Sequence, residues 1–213
     1  MSSTLDKDLL TLHYESGKSM TDIALLMNCS VHKVTYWMTK HKIKRRNISD
    51  ALYLKLNPNG DPFKIIDIFD DEKRFLYGLG LGIYWGEGEK VSKHAVKVTN
   101  SDPSVILAFV KFLQVICSVK KEKISYAIVC FNDSNVDDVR DYWSNILKIS
   151  PSKFGKIVQI PPQGKGTYKR KSVSGVCSVI VSNIKLKRWI LDELDKLSFR
   201  LDGSVVERTL GKG

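Results

Sequence analysis

The chain has 213 residues, 43% of them hydrophobic and 27% charged, and its formal net charge is +11 at pH 7. This length allows one ordinary domain with a small second one, and the composition is typical of a soluble globular protein. The positive charge favours a polyanionic partner, although charge alone does not distinguish DNA from RNA or from a membrane surface.

The cysteines and the N-terminus indicate a reducing compartment. Four cysteines stand far apart in apolar surroundings, at Cys29, Cys117, Cys130 and Cys177. The sequence contains no Cys-x-x-Cys pair and no Cys/His cluster, so neither a zinc site nor a disulfide framework is predicted. The first residues include no apolar segment of the kind found in secretion signals. We therefore expect buried free thiols in a cytoplasmic, nucleoid-associated protein without membrane association.

Residues 1–56 are predicted to form an all-α helix-turn-helix module. A short amphipathic helix over 5–16 precedes a pattern over 19–43 that resembles bacterial and phage helix-turn-helix modules. Asn28 stands in the turn, where a glycine is usual, and asparagine tolerates left-handed backbone angles. Ser30 is a good N-cap for the second helix of the motif.

The outer face of that second helix carries side chains able to reach base edges and phosphates. Together with the basic segment that follows, the predicted DNA contacts are His32, Lys33, Thr35, Tyr36, Lys40, Lys44, Arg45 and Arg46. Three-helix units of this kind also serve as protein–protein modules, which is the alternative interpretation. A turn-rich segment then predicts a linker over 57–63.

Leu76–Lys90 is an apolar helical pattern that contains several glycines. Each interior helical glycine costs about 0.8–1 kcal/mol relative to alanine, so the glycines need a reason. Gly78, Gly82 and Gly86 are spaced i, i+4 and i+8, which puts them on one helix face where another backbone can approach closely. The spacing fits neither a dinucleotide fingerprint nor a phosphate loop. We therefore predict a helix-pairing face; the alternative is a core helix that tolerates its glycines, with a solvated Glu87.

The same stretch resembles the signature helix of the LAGLIDADG homing endonucleases. Within Gly80–Gly88 the matching positions are Gly82, Ile83, Gly86, Glu87 and Gly88. The sequence departs from the motif at Gly80, where leucine is usual, and at Trp85, where an acid is common.

The resemblance implies a site as well as a fold. Two such helices would pack through their small residues at a two-fold axis, and Glu87, with Gly88 beside it, would bind a catalytic divalent cation, Mg²⁺ or Mn²⁺. Because the chain has one motif of this type, two carboxylates at an axis require a homodimer through Gly78, Gly82 and Gly86; the alternative is a site with one carboxylate that is inactive.

Residues 64–207 are expected to form an α+β domain of LAGLIDADG-like αββαββα type, with a tail at 208–213. Asp70 and Asp71 suit the start of the glycine-containing helix. Alternating or continuous apolar runs predict strands at 96–99, 124–131, 156–160 and 176–181, and helical spacing is found over 105–116, 136–147 and 186–197. The strand and helix within 124–147 are interpreted as an insertion in the family pattern.

A second basic element extends from Pro151 to Arg188, where the sequence has no acid. The predicted DNA contacts in it are Lys165, Lys169, Arg170, Lys171, Lys185 and Lys187. The loop over 163–171 lies between two predicted strands, and a basic ribbon of this kind can neutralise phosphates. The alternative is a solvated cationic loop.

The sequence therefore predicts a metal-dependent, site-specific endonuclease that acts on double-stranded DNA as a homodimer and has no small-molecule cofactor. The main alternative is a non-catalytic transcriptional regulator, because some bacterial sporulation regulators resemble this combination of domains. RNA binding or assistance in splicing is a third possibility. A second acid near the motif, Glu89, is not part of the family pattern.

Replacing Lys169, Arg170 and Lys171 together by alanine tests the basic loop. Each neutralised phosphate contributes about 0.9 to the slope of log affinity against log salt, so the triple variant should flatten that slope by about two to three units. Fluorescence anisotropy with a DNA duplex at several salt concentrations measures the slope. An unchanged slope would remove this loop from the DNA interface.

Overall fold

Residues 4–67, 70–161 and 174–202 are described by the computed structural model of the chain. The contacts between residues divide the chain into two units, Met1–Pro62 and Phe63–Gly213, so the boundary falls at the end of the turn-rich segment 57–62. No helix of the described residues is long and apolar enough to cross a membrane. Each unit has a hydrophobic core of its own.

The first unit consists of helices: α1 (Lys7–Glu15), α2 (Met20–Leu26), α3 (Val31–Lys40) and α4 (Ile48–Leu56). α1, α2 and α3 share a core that includes Leu10, Ile23, Ala24, Val34 and Met38. The predicted turn chemistry is confirmed, because Asn28 has φ 44° and the Ser30 side chain accepts from the backbone N–H of Lys33. α4 was not predicted from the sequence, and none of its residues is buried.

The second unit combines helices with one four-stranded sheet, and the predicted α+β class is confirmed. In chain order its elements are α5 (Asp71–Glu87), β1 (Val96–Asn100), α6 (Pro103–Val115), β2 (Ser125–Phe131), α7 (Val136–Leu147), β3 (Val158–Ile160), β4 (Val176–Val181) and α8 (Ile184–Asp202), with single 3-10 turns at Lys121–Lys123 and Pro151–Lys153. The strand order is β1-β4-β2-β3. β4 is antiparallel to both of its neighbours, and β3 is parallel to β2.

One face of the sheet carries the core. Val96 and Val98 of β1, Val179 of β4 and Ile128 of β2 are buried with the apolar sides of α5, α6 and α8. Side chains alternate between the two faces of a strand. The residues between these valines and isoleucines therefore form the opposite face, which is more exposed.

Two expectations about the strands are corrected. One strand, not two, follows α5, and Gly88 makes a single antiparallel bridge with Val98 where the αββαββα pattern has a further strand. β3 and β4 do not form a ribbon, because β4 pairs with β1 on one edge and with β2 on the other and so has no edge left for β3. The basic loop between them lies within 162–173, outside the described residues.

Gly80 of α5 packs directly against Phe112 of α6. A Cβ atom at this position would lie 2.1 Å from Cγ of Phe112, which is buried in the core. No side chain fits there without moving one of the two helices. The contact gives a physical reason for a glycine where the LAGLIDADG motif usually has leucine.

Gly80→Ala should therefore destabilise the second unit, by about 1–3 kcal/mol as for other overpacked cores. Gly82→Ala is the matched control, because a Cβ there meets no described atom within 4 Å. At concentrations where the protein is monomeric, the control should be more stable than the parent by up to about 1 kcal/mol through helix propensity. Urea unfolding measures the free energy of unfolding of the two variants. Equal changes in that free energy for Gly80→Ala and Gly82→Ala would contradict the packing account.

Candidate nucleic-acid interface and metal site

The C-terminal end of α5 is fastened to the edge of the sheet. Gly88 donates its N–H to the carbonyl of Tyr84 (2.9 Å) and pairs with Val98, and Glu89 donates its N–H to the carbonyl of Lys97 (2.9 Å). A Cβ at Gly88 would lie 2.3 Å from the Tyr84 carbonyl oxygen, so only glycine allows this close turn. The turn fixes Glu87 beside the outer edge of β1.

Glu87 is the last residue of α5 and its side chain is exposed. Within the described residues, no hydrogen bond or ion pair engages its carboxylate. A helix C-terminus carries partial negative charge, so an unpaired acid is unfavourable there and a bound cation is favourable. Among the described residues, no group of three or more His, Cys, Asp and Glu side chains is arranged to hold a metal.

Lys187 occupies the core behind this turn. Its side chain is 1% exposed, and its amino group donates to the hydroxyl of Tyr84 and to the carbonyl of Glu89. The Tyr84 hydroxyl also donates to the Glu89 carbonyl, at 2.6 Å. Burial lowers the pKa of Lys187 below its ordinary value, and the nearby Glu89 carboxylate partly opposes this. The prediction of Lys187 as a phosphate contact is therefore wrong, because this amino group is used inside the protein.

Among the residues that the structure describes, none covers the glycine face of α5. A Cβ built on Gly78, Gly82 or Gly86 would meet no described atom within 4 Å. The same face carries exposed apolar side chains, because Phe75 is 68% exposed and Trp85 is also exposed. The predicted stripe thus lies on one open, largely apolar helix face, whereas the close contact inside the chain uses Gly80.

The face of the sheet opposite the core adds polar groups that are not among the predicted DNA contacts: Lys97 and Thr99 are half-buried, and Ser178 is buried. Lys97 and Thr99 of β1 lie on this face, beside Ile180 and Ser178 of β4. The hydroxyls of Thr99 and Ser178 are 2.7 Å apart. The alternation of β1 could have identified Lys97 and Thr99, but Ser178 required knowledge of the strand pairing.

In the first unit, α3 presents most of its predicted contacts. His32, Tyr36 and Lys40 are exposed, whereas Lys33 and Thr35 are half-buried. The amino group of Lys40 lies 4.9 Å from the ring centroid of Trp37, a cation–π arrangement that keeps it on the surface of α3.

The basic segment after α3 divides into two parts. Lys44 and Arg45 are exposed. Arg46 instead lies over the ring of Tyr14, 3.9 Å from its centroid, and donates to the carbonyls of Gly17 and Lys18. The prediction of Arg46 as a DNA contact is corrected for this reason, since its guanidinium holds the turn between α1 and α2.

The contacts predicted within the second basic element, Pro151 to Arg188, also fall into two groups. Lys185, at the start of α8, is exposed. Lys165, Lys169, Arg170 and Lys171 lie outside the described residues. The structure thus brings Glu87, Gly88 and Lys97 together at one edge of the sheet and leaves the loop contacts as predictions.

Comparison of the chain with protein-family models, with curated proteins and with solved structures gives no match. The function therefore has to be argued from the chemistry of the site, because fold alone does not determine it.

Lys187→Met tests the buried amine through the pH dependence of stability. A lysine whose pKa is lower in the folded state than its ordinary 10.5 binds more protons when unfolded, over the pH range between those two values. The stability of the parent should therefore rise, relative to the variant, as the pH approaches 10.5 from below. Urea unfolding at a series of pH values measures this difference. Lys185→Met, at an exposed position, is the control, and parallel curves for parent and Lys187→Met would contradict the account.

Proposed function

We propose that the protein is a DNA-binding homodimer that cleaves a specific double-stranded site with a divalent cation, in the manner of a LAGLIDADG homing endonuclease. The observation that carries the proposal is the open glycine face of α5, which ends at an exposed carboxylate beside a partly polar sheet face. A glycine-rich helix of this kind is costly in a monomer and useful where two backbones meet.

The proposed dimer pairs the α5 helices of two copies. Exposed apolar patches on folded proteins commonly mark interaction surfaces, and Phe75, Leu79 and Trp85 supply such a patch around Gly82. Burial of these side chains would supply the hydrophobic free energy of association. Pairing through α5 would also bring the C-terminal ends of the two helices, and so the two Glu87 carboxylates, towards one another.

The chain offers ligands that suit Mg²⁺ or Mn²⁺. Each copy contributes the carboxylate of Glu87, which has no partner among the described residues, and the carbonyl of Gly88; both are hard oxygen donors. The Gly88 carbonyl accepts a hydrogen bond from Lys90 at 3.1 Å and has a second lone pair for a cation. Magnesium typically binds through one or two carboxylates together with water and substrate phosphate, so a full protein cage is not required. A bound cation would lower the pKa of an attacking water and neutralise charge on the phosphate.

DNA contact would come from more than one surface. The sheet face next to Glu87 offers Lys97 to phosphates and the half-buried Thr99 hydroxyl to base edges. Lys185, Lys44 and Arg45 are exposed basic residues suited to the phosphate backbone. The helix-turn-helix unit would add sequence preference through His32 and Tyr36 of α3.

The second candidate function is a DNA-binding regulator that does not cleave. The hydrogen bonds of Lys187 favour the regulator, because a basic group close to the motif is used inside the protein and not for the substrate. The single carboxylate that each copy supplies at the end of α5 also favours it, since phosphodiester cleavage with two metals uses several acidic ligands. The same dimer and the same DNA surfaces serve this function.

Two substitutions in α5 separate assembly from chemistry. Gly82→Leu should prevent pairing of the helices, because a leucine cannot fit where two backbones meet. Glu87→Gln preserves the shape of the side chain, so dimerisation and DNA binding should remain while cleavage in magnesium disappears. Binding and cleavage are measured by incubating the proteins with a randomised DNA library, with and without magnesium, and sequencing the bound and the cut ends. Dimer stability is measured by sedimentation over a range of protein concentrations.

The outcomes distinguish the two functions. Cleavage by Glu87→Gln at the parent's rate would show that the metal-site assignment is wrong. If the parent and Glu87→Gln bind one sequence tightly and neither cuts it, the regulator is the correct function. A dimer of Gly82→Leu as stable as that of the parent would contradict pairing through α5.

A further inference from the structure

A groove of about 670 Å³ lies on the helix-covered side of the sheet in the second unit. One wall is the outer side of α6, with Leu107 and Val110, and the other is the segment after α7, with Leu147 and Ile149. Tyr126 of β2 forms part of its floor. The size is within the range of sites that bind small molecules, and the walls are largely apolar, as in most such sites.

The rim of the groove is strongly basic. Lys111, Lys121, Lys148 and Lys153 line it, and Glu122 is the one acid among the lining residues. All four lysines are exposed. Lys111 makes a 3.1 Å ion pair with Glu72 on the solvent side, whereas within the described residues Lys121, Lys148 and Lys153 make no ion pair. The groove therefore presents several unneutralised positive charges around an apolar interior.

Tyr126 places a polar group at the bottom of this apolar interior. The residue is 8% exposed and its ring packs beside Phe154, with ring centroids 5.9 Å apart. Among the described residues, no group hydrogen-bonds to its hydroxyl, although that oxygen is not sealed from the groove. Burial raises the pKa of Tyr126 to about 12, so the hydroxyl stays protonated and remains a donor. Buried polar groups usually have a hydrogen-bond partner. A ligand in the groove would supply the acceptor for this hydroxyl.

The backbone conformation of Lys148 is a second, independent observation that points to a functional positive charge at the rim of the groove. It follows the last residue of α7 and has φ 52°, in the left-handed region that glycine or asparagine usually occupies at the end of a helix. A lysine there is less favourable for the backbone than glycine. Its charge is favourable at a helix C-terminus, and it also extends the ring of amines around the groove.

We propose that this groove is a binding site for a small organic anion that has an apolar or aromatic body. An oxygen of its carboxylate or phosphate group would accept a hydrogen bond from the Tyr126 hydroxyl, the same group would be attracted by Lys121, Lys148 and Lys153, and the body would cover Leu107 and Ile149. A nucleotide and a fatty acid both have this chemistry.

The site is separate from the proposed DNA surface. Tyr126 belongs to the core-facing set of β2, with Ile128 and Cys130, whereas Ser125 and Ala127 face the other side of the sheet. The groove therefore opens on the opposite side of the sheet from Lys97 and Thr99. A nucleic acid backbone has no apolar group to cover Leu107 and Ile149, which favours a small amphipathic anion over DNA as the occupant.

Titration of the full-length protein with 8-anilinonaphthalene-1-sulfonate, an anion with an aromatic body, tests the proposal by fluorescence. Tyr126→Phe removes only the hydroxyl and should weaken binding about tenfold, as expected for a hydrogen bond to a charged group. Lys148→Gly removes one amine and suits the left-handed backbone, so it should weaken binding while the melting temperature stays the same or rises. Lys156→Ala, an exposed lysine of the same unit outside the groove, should bind the probe as the parent does.

Adenosine triphosphate and laurate are then compared as competitors of the bound probe. The stronger competitor shows whether the groove prefers an aromatic or an aliphatic body. Loss of probe affinity in both Tyr126→Phe and Lys148→Gly supports the site, whichever of the two small anions displaces the probe. Unchanged affinity in both folded variants would overturn the proposal. Displacement by a short DNA duplex and by neither small anion would also overturn it and assign the groove to the phosphate backbone.

Discussion

The hydrogen bonds of Lys187 hold the end of α5 against the sheet, and the position of the candidate site depends on them. The amine and the Tyr84 hydroxyl both donate to the Glu89 carbonyl, so one backbone oxygen just after the motif is fixed by two buried donors. Burying an amine is unfavourable unless its hydrogen bonds are made. The turn therefore cannot move without leaving a buried polar group unpaired, and Glu87 is kept at the edge of β1.

Two kinds of glycine in α5 serve different purposes. Gly80 allows close contact with Phe112 inside the chain, whereas Gly78, Gly82 and Gly86 contact no described residue outside their own helix. The first kind explains how the helix packs in its own unit. The second kind, next to exposed Phe75, has no packing partner among the described residues, which is why a second copy of the chain is the proposed partner.

Local signals in the sequence predicted the elements, and long-range contacts explain what they missed. The turn at Asn28, the cap at Ser30 and the strand alternation of β1 depend on near neighbours and could be derived from residue types. The position of β4 between β1 and β2 depends on pairings between distant segments, which periodicity does not reveal. Lys187 looks like a surface residue in a basic run, and its burial depends on Tyr84, about a hundred residues earlier in the chain.

The central claim, that two copies meet through the glycine face of α5, is tested most directly by disulfide cross-linking of Gly82→Cys in a Cys29→Ser background. The remaining native cysteines are buried, so the new thiol is the exposed one among the described residues. Cysteines form a disulfide when their Cα atoms come within about 4.4–6.8 Å. The account predicts a covalent dimer on a non-reducing gel for Gly82→Cys and a monomer for Lys111→Cys, on the outer side of α6. A monomer for Gly82→Cys under the same oxidation would contradict it.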